Sequence, residues 1–272
     1  MAELVYAYVS EAYVARLGSS SLPVPTIRQH VIFSPMKKLG TVTLLGVDCV
    51  NIDRLILAAE ICMKDFEFAE VKLLSSIESI NKHVVKIPEI TTVEHYSRFM
   101  VSELNRYVNT PHVLVIQYDG FILNPAAWTD KFLKYDYIGA PWLVAEWSVK
   151  DFNFPKEWLG KTVIGNGGFS LRTKKFLETC ADLSQKGSFE KYHPEDVMLT
   201  IWKRDLMEQQ GIKFAPVELA KKFSYEAVDD EDSKWSGQLG FHGIRWTDIS
   251  NWSKDHQEFV VDVKKNEIRR KS

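Results

Sequence analysis

The chain has 272 residues, of which 45% are hydrophobic and 12% aromatic, enough to bury the core of one large α/β domain or two small ones. Its 34 Lys and Arg nearly balance its 36 Asp and Glu, which excludes the basic field that draws proteins onto nucleic acid or anionic lipid. Three scattered cysteines without C-x-x-C spacing argue against a disulfide framework or a zinc ribbon and indicate a reducing, cytoplasmic compartment.

The first segment, residues 1–37, is predicted to form a helical leader. Its apolar residues have mixed helical spacing and are followed by SSSLPVPT, whose serines and prolines interrupt regular structure. The segment lacks the basic region of a signal peptide, and no apolar run in the chain approaches the ~20 residues that a membrane helix needs. We therefore expect neither secretion nor a transmembrane segment.

Strands and helices alternate from residue 38 onward. TVTLLGVD is predicted as a strand, NIDRLILAAEICMKDF as a helix behind an Asn51 or Asp53 cap, EVKLLSS and KHVVKIPEI as strands, VEHYSRFMVSELNRYV as a helix and VLVIQ as a strand. Such alternation is typical of an α/β fold with a mostly parallel sheet flanked by helices. We predict a single domain over residues 38–262, followed by a charged tail, residues 263–272, that frays.

The strand VLVIQ runs into Gln117-Tyr118-Asp119-Gly120. Because ligands bind beyond the carboxyl ends of parallel strands, Asp119 is expected at the binding edge of the sheet. Its carboxylate suits a hard divalent cation that bridges phosphates, whereas the simpler alternative is that it caps a turn.

Three glycines follow in Ile164-Gly165-Asn166-Gly167-Gly168-Phe169, before a predicted strand and a helix from about Thr173. They let the backbone approach a ligand closely, or they form a bulged turn. The segment is neither a P-loop, since no Gly-Lys-Ser/Thr follows, nor a dinucleotide fingerprint, since it lacks G-x-G-x-x-G spacing.

Two later segments carry titratable groups. His193-Pro194-Glu195-Asp196 places two carboxylates before the amphipathic stretch VMLTIWKRDLMEQ, so one can cap a helix while the other acts as a general base for a hydroxyl. Gly240-Phe241-His242-Gly243 offers an imidazole that either ligates a metal or hydrogen-bonds in the core. Among the many aromatic residues near the glycines, Trp142 is the best candidate to stack on a sugar ring, although such residues also fill cores.

In this order, the motifs QYDG, YDYIGAPW, GNGGFSLR, HPED and LGFHG resemble a family of microbial glycosyltransferase-like proteins recorded as a domain of unknown function. The resemblance covers residues 40–245, and more distantly the motif order is similar to inverting glycosyltransferases of the GT-A fold, such as β-galactosyltransferases and Fringe-type enzymes. It implies a Rossmann-like mixed, mostly parallel sheet, a nucleotide-sugar donor (a UDP-sugar), a glycan acceptor and a Mn²⁺ or Mg²⁺ cofactor.

The resemblance also implies roles for individual residues. Asp196 aligns with the base, with Glu195 as runner-up, and Asp119 and His242 align with metal ligands. The implied donor contacts are Asp48, Ser75, Arg98, Gln117, Tyr118, Asn166, Gly167 and Gly168, and the implied acceptor contacts are Trp142 and His193. Gln117 departs from the pattern, because it replaces the first aspartate of an Asp-x-Asp motif and a neutral amide binds a cation more weakly.

The leading hypothesis is therefore an inverting glycosyltransferase. The alternative is a catalytically silent sugar- or nucleotide-binding module on the same fold, which Gln117 favours. A nucleotidyltransferase is a weaker third hypothesis, because GVDCVNID stands where such enzymes carry a glycine-rich basic loop.

Overall fold

A computed structural model describes residues 36–226 and 234–271. The predicted leader, residues 1–37, lies outside the described residues except for Met36 and Lys37, and Lys37 begins the first strand. The division of the chain at residues 37 and 262 stays a prediction.

The strands of the described residues are, in chain order, β1 (Lys37–Val47), β2 (Phe66–Ser75), β3 (Val84–Lys86), β4 (His112–Ile116), β5 (Tyr137–Ile138), β6 (Pro141–Leu143), β7 (Thr162–Ile164), β8 (Ser170–Thr173), β9 (Ser224–Tyr225), β10 (Gly240–Phe241), β11 (Phe259–Asp262) and β12 (Glu267–Arg270). Six of them form one sheet in the order β3-β2-β1-β4-β8-β5. The first four strands in this order are parallel, and β8 is antiparallel to β4 and to β5.

The helices are α1 (Ile52–Met63), α2 (Val93–Ser102), α3 (Glu146–Phe152), α4 (Lys174–Gln185), α5 (Glu195–Val197), α6 (Arg204–Gln209), α7 (Val217–Phe223) and α8 (Ser250–Asp255). Helix α1 contacts β1 and β2, and α4 contacts β8. The predicted α/β fold, with a mostly parallel sheet flanked by helices, is confirmed. No helix within the described ranges is both long enough and apolar enough to cross a bilayer.

Local sequence explains where two of these helices begin. The Asn51 side chain accepts a hydrogen bond from Asp53 N at 3.2 Å, which confirms the predicted cap of α1. The Thr173 hydroxyl accepts one from Phe176 N at 3.1 Å and begins α4. Each cap satisfies a backbone N–H that has no partner within the first turn of its helix.

The amphipathic stretch after His193-Pro194 differs from its prediction as one helix. It begins as α5, continues through a π-helical turn at Met198–Trp202 and resumes as α6. Lys203 N donates to Met198 O, five residues back, at 2.9 Å, which widens the turn. Neither acid is the N-cap, which is Pro194, but both lie in the first turn, where Asp196 Oδ1 accepts a hydrogen bond from Val197 N at 2.8 Å.

The end of the chain also differs from its prediction. The tail was expected to fray, but β11 and β12 pair as an antiparallel hairpin that spans residues 259–270. Phe259 and Ile268 are buried in the main core, so burial of two apolar side chains offsets the charge of the surrounding sequence. The hairpin turn brings residue 266 back to the edge of the central sheet.

Candidate functional site

The strand β4 ends in a tight turn that places Asp119 at the edge of the sheet. Gln117 N donates to Gly120 O and Gly120 N donates to Gln117 O, each at 3.1 Å, so Tyr118 and Asp119 occupy the tip of the turn. A Cβ on Gly120 would lie 2.9 Å from Cδ2 of His242, which explains why glycine occupies this position. Asp119 therefore lies in a turn and also at the edge of the sheet.

The carboxylate of Asp119 is buried, with 6% of the residue exposed. Its Oδ2 accepts a hydrogen bond from Asn266 Nδ2 at 2.7 Å. Its Oδ1 is buried with no hydrogen-bond partner among the described residues, and it lies 3.7 Å from His242 Nε2. A buried carboxylate oxygen without a partner is costly, so this atom is suited to bind a cation or another donor.

His242 is held on both sides of its ring. Its Nδ1 lies 2.7 Å from Glu226 Oε1 and its Nε2 lies 3.0 Å from Gln117 Oε1. Burial lowers the pKa of this histidine, but the negative charges of Asp119 and Glu226 outweigh burial and raise the pKa to about 9. The ring therefore carries both protons near neutral pH and donates to Glu226 and to Gln117.

Glu226 was missed by sequence reasoning. It directly follows β9, and His242 directly follows β10, and these two-residue strands pair in parallel, so both side chains leave the same edge. The other carboxylate oxygen of Glu226 accepts a hydrogen bond from the Trp142 indole. The local signal was one acidic residue after Ser224-Tyr225, which indicates nothing by itself.

Gln117 has a fixed amide orientation. Its Nε2 donates to the hydroxyl of Tyr96 at 2.9 Å, and its Oε1 faces His242. Because the amide oxygen points toward His242, Gln117 offers an oxygen ligand rather than a donor on that side. Tyr96, another residue that the sequence did not single out, sets this orientation.

The glycine segment, residues 164–169, packs against the ring of His242. Asn166 adopts a left-handed backbone (φ 36°), and its Oδ1 accepts from Phe169 N at 3.0 Å. Its Nδ2 lies 2.9 Å from His242 Nδ1. A Cβ on Gly168 would collide with the imidazole ring, so the close approach expected of these glycines is made to His242.

The two acidic residues lie on the other side of the same segment. Asp196 is half-buried, and its Oδ2 accepts a hydrogen bond from Gly167 N at 3.0 Å. Glu195 is buried beneath it, and a Cβ on Gly167 would lie 2.7 Å from Glu195 Oε1. Burial and then the charge of Asp196 raise the pKa of Glu195 to about 7, and burial and then the charge of Glu226 raise the pKa of Asp196.

Arg172 is a third residue that sequence reasoning missed. It is completely buried, its Nη2 donates to Gly167 O at 3.1 Å and lies 3.8 Å from Glu195 Oε1. Its guanidinium carbon lies 5.4 Å from the centre of the Tyr137 ring, a cation–π contact. Buried cations need such partners, so Arg172 supports both the glycine segment and the acidic pair from below.

Asp48 and Ser75 lie at the ends of the neighbouring parallel strands β1 and β2. Asp48 Oδ1 accepts from Asn51 N at 2.9 Å, and its Oδ2 accepts from Arg54 Nε at 2.6 Å. Ser75 Oγ donates to Asp48 O at 2.6 Å. The Arg54 guanidinium also lies 3.5 Å from the centre of the Tyr118 ring, which links these strand ends to Asp119. A contact of Asp48 or Ser75 with a nucleotide stays a prediction.

The remaining predicted residues have no recorded contact with Asp119 or His242. The Arg98 guanidinium carbon lies 4.8 Å from the centre of the Tyr192 ring, in a cleft of about 630 Å³ beside α2 and α4. His193 Nδ1 lies 3.0 Å from Ser97 Oγ. Trp142 packs against Gly165, where a Cβ would collide with its ring, so part of its surface is already used. Their roles in phosphate or acceptor binding stay predictions.

The side chains around Asp119 are the candidate ligands of a divalent cation. Across residues 36–226 and 234–271, no group of three or more His, Cys, Asp and Glu side chains is arranged to hold a metal ion. Asp119 Oδ1, His242 Nε2 and the amide oxygen of Gln117 do converge, and Asp119 Oδ1 is the buried oxygen without a partner. Two oxygens and one imidazole nitrogen are too few ligands by themselves, so this set fits a divalent cation only when further ligands come from outside the chain and His242 has lost its Nε2 proton.

The contact between Gly168 and His242 yields a stability prediction. Gly168→Ala is expected to lower the free energy of unfolding by about 1–3 kcal/mol, because the new methyl group overpacks against a ring fixed by Glu226 and Gln117. Urea unfolding measures this change. Gly40→Ala is the control, since a Cβ there meets no atom within 4 Å. Equal stability of the two variants would contradict the packing argument.

Comparison with known proteins adds a family. The family described as "Protein of unknown function (DUF5672)" matches residues 76–242, a range that includes the QYDG, GNGG and HPED motifs and ends at His242. No curated protein matches the chain. The galactosyltransferase LgtC, solved with donor and acceptor sugar analogs, is 15% identical, with 74% of this chain and 86% of that chain covered and a TM-score of 0.45.

An active-site mutant of LgtC is 14% identical, with 74% and 86% of the two chains covered and a TM-score of 0.42. Likeness at these identities concerns the fold alone. The family match extends over more than half of the 272 residues. The chain therefore belongs to the DUF5672 family, and the resemblance to a family recorded as a domain of unknown function is confirmed.

Proposed function

We propose that the chain is a glycosyltransferase that moves a sugar from a nucleoside diphosphate, with uridine as the expected base, to a hydroxyl group of a glycan. One observation carries the proposal. Gly167 contacts the acidic pair and Gly168 packs against His242. These two adjacent glycines therefore lie between the proposed base and the proposed cation ligands. A donor sugar beside these glycines would lie between a proton acceptor and groups that neutralise a departing diphosphate.

Asp196 is the proposed general base. It is more exposed than Glu195, which lies under the glycine segment against Arg172. Asp196 removes the acceptor proton while the acceptor oxygen forms a bond to the anomeric carbon. The bond from that carbon to the diphosphate breaks on the opposite side, its electron pair leaves with the diphosphate, and the anomeric configuration inverts.

Asp119, His242 and the amide oxygen of Gln117 are the residues that would hold Mn²⁺ or Mg²⁺. When bound, such an ion supplies positive charge that stabilises the leaving diphosphate. Asp119 already has one oxygen fixed by Asn266 and the other directed toward His242. Glu226 keeps the imidazole oriented by accepting its Nδ1 proton, a contact typical of ligating histidines.

A silent binding module on the same fold is the second candidate, and Gln117 favours it. A neutral amide replaces a carboxylate in this set, so cation binding and catalysis are expected to be weaker than with two aspartates. Release of free nucleoside diphosphate in the presence of simple sugar acceptors separates the two candidates. An enzyme releases it with time, and a module binds the donor without turnover.

A donor screen tests the proposal directly. Thermal unfolding is measured with a panel of nucleoside diphosphate sugars, each with and without Mn²⁺. A donor at about 100 times its dissociation constant is expected to stabilise the protein by about 2.7 kcal/mol. Stabilisation by uridine compounds that requires Mn²⁺ supports the proposal. Absence of any stabilised donor, together with absence of turnover, would overturn it.

The acidic pair yields a pH prediction. The transfer rate is expected to rise with pH along a limb whose apparent pKa lies above the ordinary carboxyl range. Burial raises the pKa of both acids, and the charge of Asp196 adds to this at Glu195 as that of Glu226 does at Asp196. A base acts only when deprotonated, so the rate falls as pH drops through that value. Glu195→Gln removes one negative charge next to Asp196 and is expected to move the limb to lower pH.

The control for this profile is Glu190→Gln, an exposed glutamate outside the site. It removes the same charge from the chain at a distance from Asp196. Arg172, Glu226 and His242 also act on the pair, and all three are unchanged in both variants. A limb that stays at the same pH in Glu195→Gln would contradict the assignment.

A further inference from the structure

Asn266 lies in the hairpin turn between β11 and β12, outside the family match that ends at residue 242. Its backbone is left-handed (φ 52°), a conformation that asparagine tolerates better than most residues. The turn therefore aims its side chain away from the hairpin and toward the end of β4. The hydrogen bond from Asn266 to Asp119 joins two parts of the chain that are 147 residues apart.

Both polar atoms of the Asn266 side chain make hydrogen bonds. Its Oδ1 accepts from Arg245 N at 2.9 Å, which leaves the Nδ2 hydrogens to face the site. Nδ2 donates to Asp119 Oδ2 at 2.7 Å and to the hydroxyl of Tyr118 at 3.0 Å. The backbone donor of Arg245 thus fixes which end of the amide meets the carboxylate.

The consequence concerns the rotation of the Asp119 carboxylate. With Oδ2 held by Asn266, the other oxygen, Oδ1, is directed toward His242 Nε2. Without this donor, the carboxylate is free to rotate about χ2, and neither oxygen is held toward His242. Mutation of a residue that hydrogen-bonds to a ligating side chain commonly lowers metal affinity by about 10- to 100-fold.

We propose that Asn266 is a positioning residue that orients Asp119 for binding of a divalent cation, which makes the C-terminal hairpin part of the site. The inference rests on the proposed cation site of Asp119 and His242. It adds a residue that lies outside the family match and in a segment whose charge predicted a frayed tail. It also explains why this turn carries asparagine, whose amide donates to a carboxylate while its backbone stays left-handed.

The test measures binding of Mn²⁺ alone to the full chain, by electron paramagnetic resonance of the free ion. Asn266→Gly removes the amide and keeps a residue that adopts φ 52° without strain. Its dissociation constant for Mn²⁺ is expected to rise about tenfold or more. The matched control is Asn153→Gly, because Asn153 has the same φ of 52° at the end of α3, and its affinity should equal that of the wild type.

A second variant, Asn266→Ser, keeps a polar side chain in the turn but is too short to make both contacts, so it is also expected to bind Mn²⁺ more weakly. Thermal unfolding of each variant shows whether the hairpin has stayed folded. In turnover assays, both Asn266 variants should recover the wild-type kcat at high Mn²⁺, with only the Mn²⁺ requirement raised. Wild-type affinity in a folded Asn266 variant overturns the inference.

The outcomes also separate the inference from the proposed function. If the wild type transfers sugar but does not bind Mn²⁺, the inference fails and the transferase remains. If the wild type binds Mn²⁺ through Asn266 but neither binds nor turns over any donor, the proposed function fails and the inference stands.

Discussion

Asp196→Asn is expected to lower the rate of sugar transfer by about 10²- to 10⁴-fold, the usual contribution of a general base. The amide keeps the shape of the side chain and can still accept a hydrogen bond from Gly167 N, which is 3.0 Å from Asp196 Oδ2. It cannot take the acceptor proton. Donor binding is therefore expected to persist, and the loss should appear in kcat.

The measurement pairs turnover with donor-induced thermal stabilisation of the same variant. Asp205→Asn is the control, since Asp205 is an exposed aspartate on α6 and its replacement removes the same charge. Glu195→Gln separates the two acids, and we expect its rate to fall less than that of Asp196→Asn. Full activity in Asp196→Asn, or a greater loss of activity in Glu195→Gln, would contradict the assignment of Asp196 as the general base.

Arg172→Met is expected to lower the free energy of unfolding by about 3–5 kcal/mol, the usual cost of removing one partner of a buried ion pair. Arg172 is fully buried, and its Nη2 lies 3.8 Å from Glu195 Oε1. Methionine fills much of the volume but leaves Glu195 without its cation. The carbonyl of Gly167 also loses a donor.

The stability loss should depend on pH. Burial and then the charge of Asp196 raise the pKa of Glu195 from 4.5 to about 7, and Arg172 opposes this rise more than any other group, so the variant is expected to raise the pKa further. When the pKa of an acid is higher in the folded than in the unfolded state, the protein loses stability as the pH rises from the unfolded-state pKa through the folded-state pKa. The difference between Arg172→Met and the wild type should therefore be smaller at about pH 4.5 than at higher pH.

Two further variants test the cause of this loss. Adding Glu195→Gln to Arg172→Met removes the stranded charge and is expected to restore part of the stability, which a double-mutant cycle quantifies. Arg106→Met is the control, because it removes an exposed surface ion pair with Glu103 that is worth about 0–1 kcal/mol. Losses in Arg172→Met that match Arg106→Met, or that do not vary with pH, would contradict the buried ion pair.

Some of the site follows from the sequence because the determining signals are local. The apolar run of β4 predicts a buried strand, and a parallel sheet directs the residue after such a strand toward the binding edge, so Asp119 could be placed without coordinates. The motif order likewise singled out His242 and the two acids. These predictions needed only the spacing of apolar residues and the order of short motifs.

Other parts of the site depend on contacts that no local pattern contains. Glu226 reaches His242 because two strands of two residues each pair in parallel, and strands that short have no detectable alternation. Arg172 could be read as an exposed cation at the end of a strand, yet antiparallel pairing of β8 with β4 and β5 buries it completely. The π-helical turn after Glu195 also leaves no mark in the apolar spacing.

The sequence by itself determined the α/β architecture, the start of the main helices and the strand end that carries Asp119, because each depends on periodicity or capping within about ten residues. Only the tertiary structure decided which side chains surround that aspartate. Charge composition predicted a frayed tail, but burial of Phe259 and Ile268 folds it into a hairpin. Asn266 thereby meets Asp119 across 147 residues, and long-range packing rather than local preference sets such a contact.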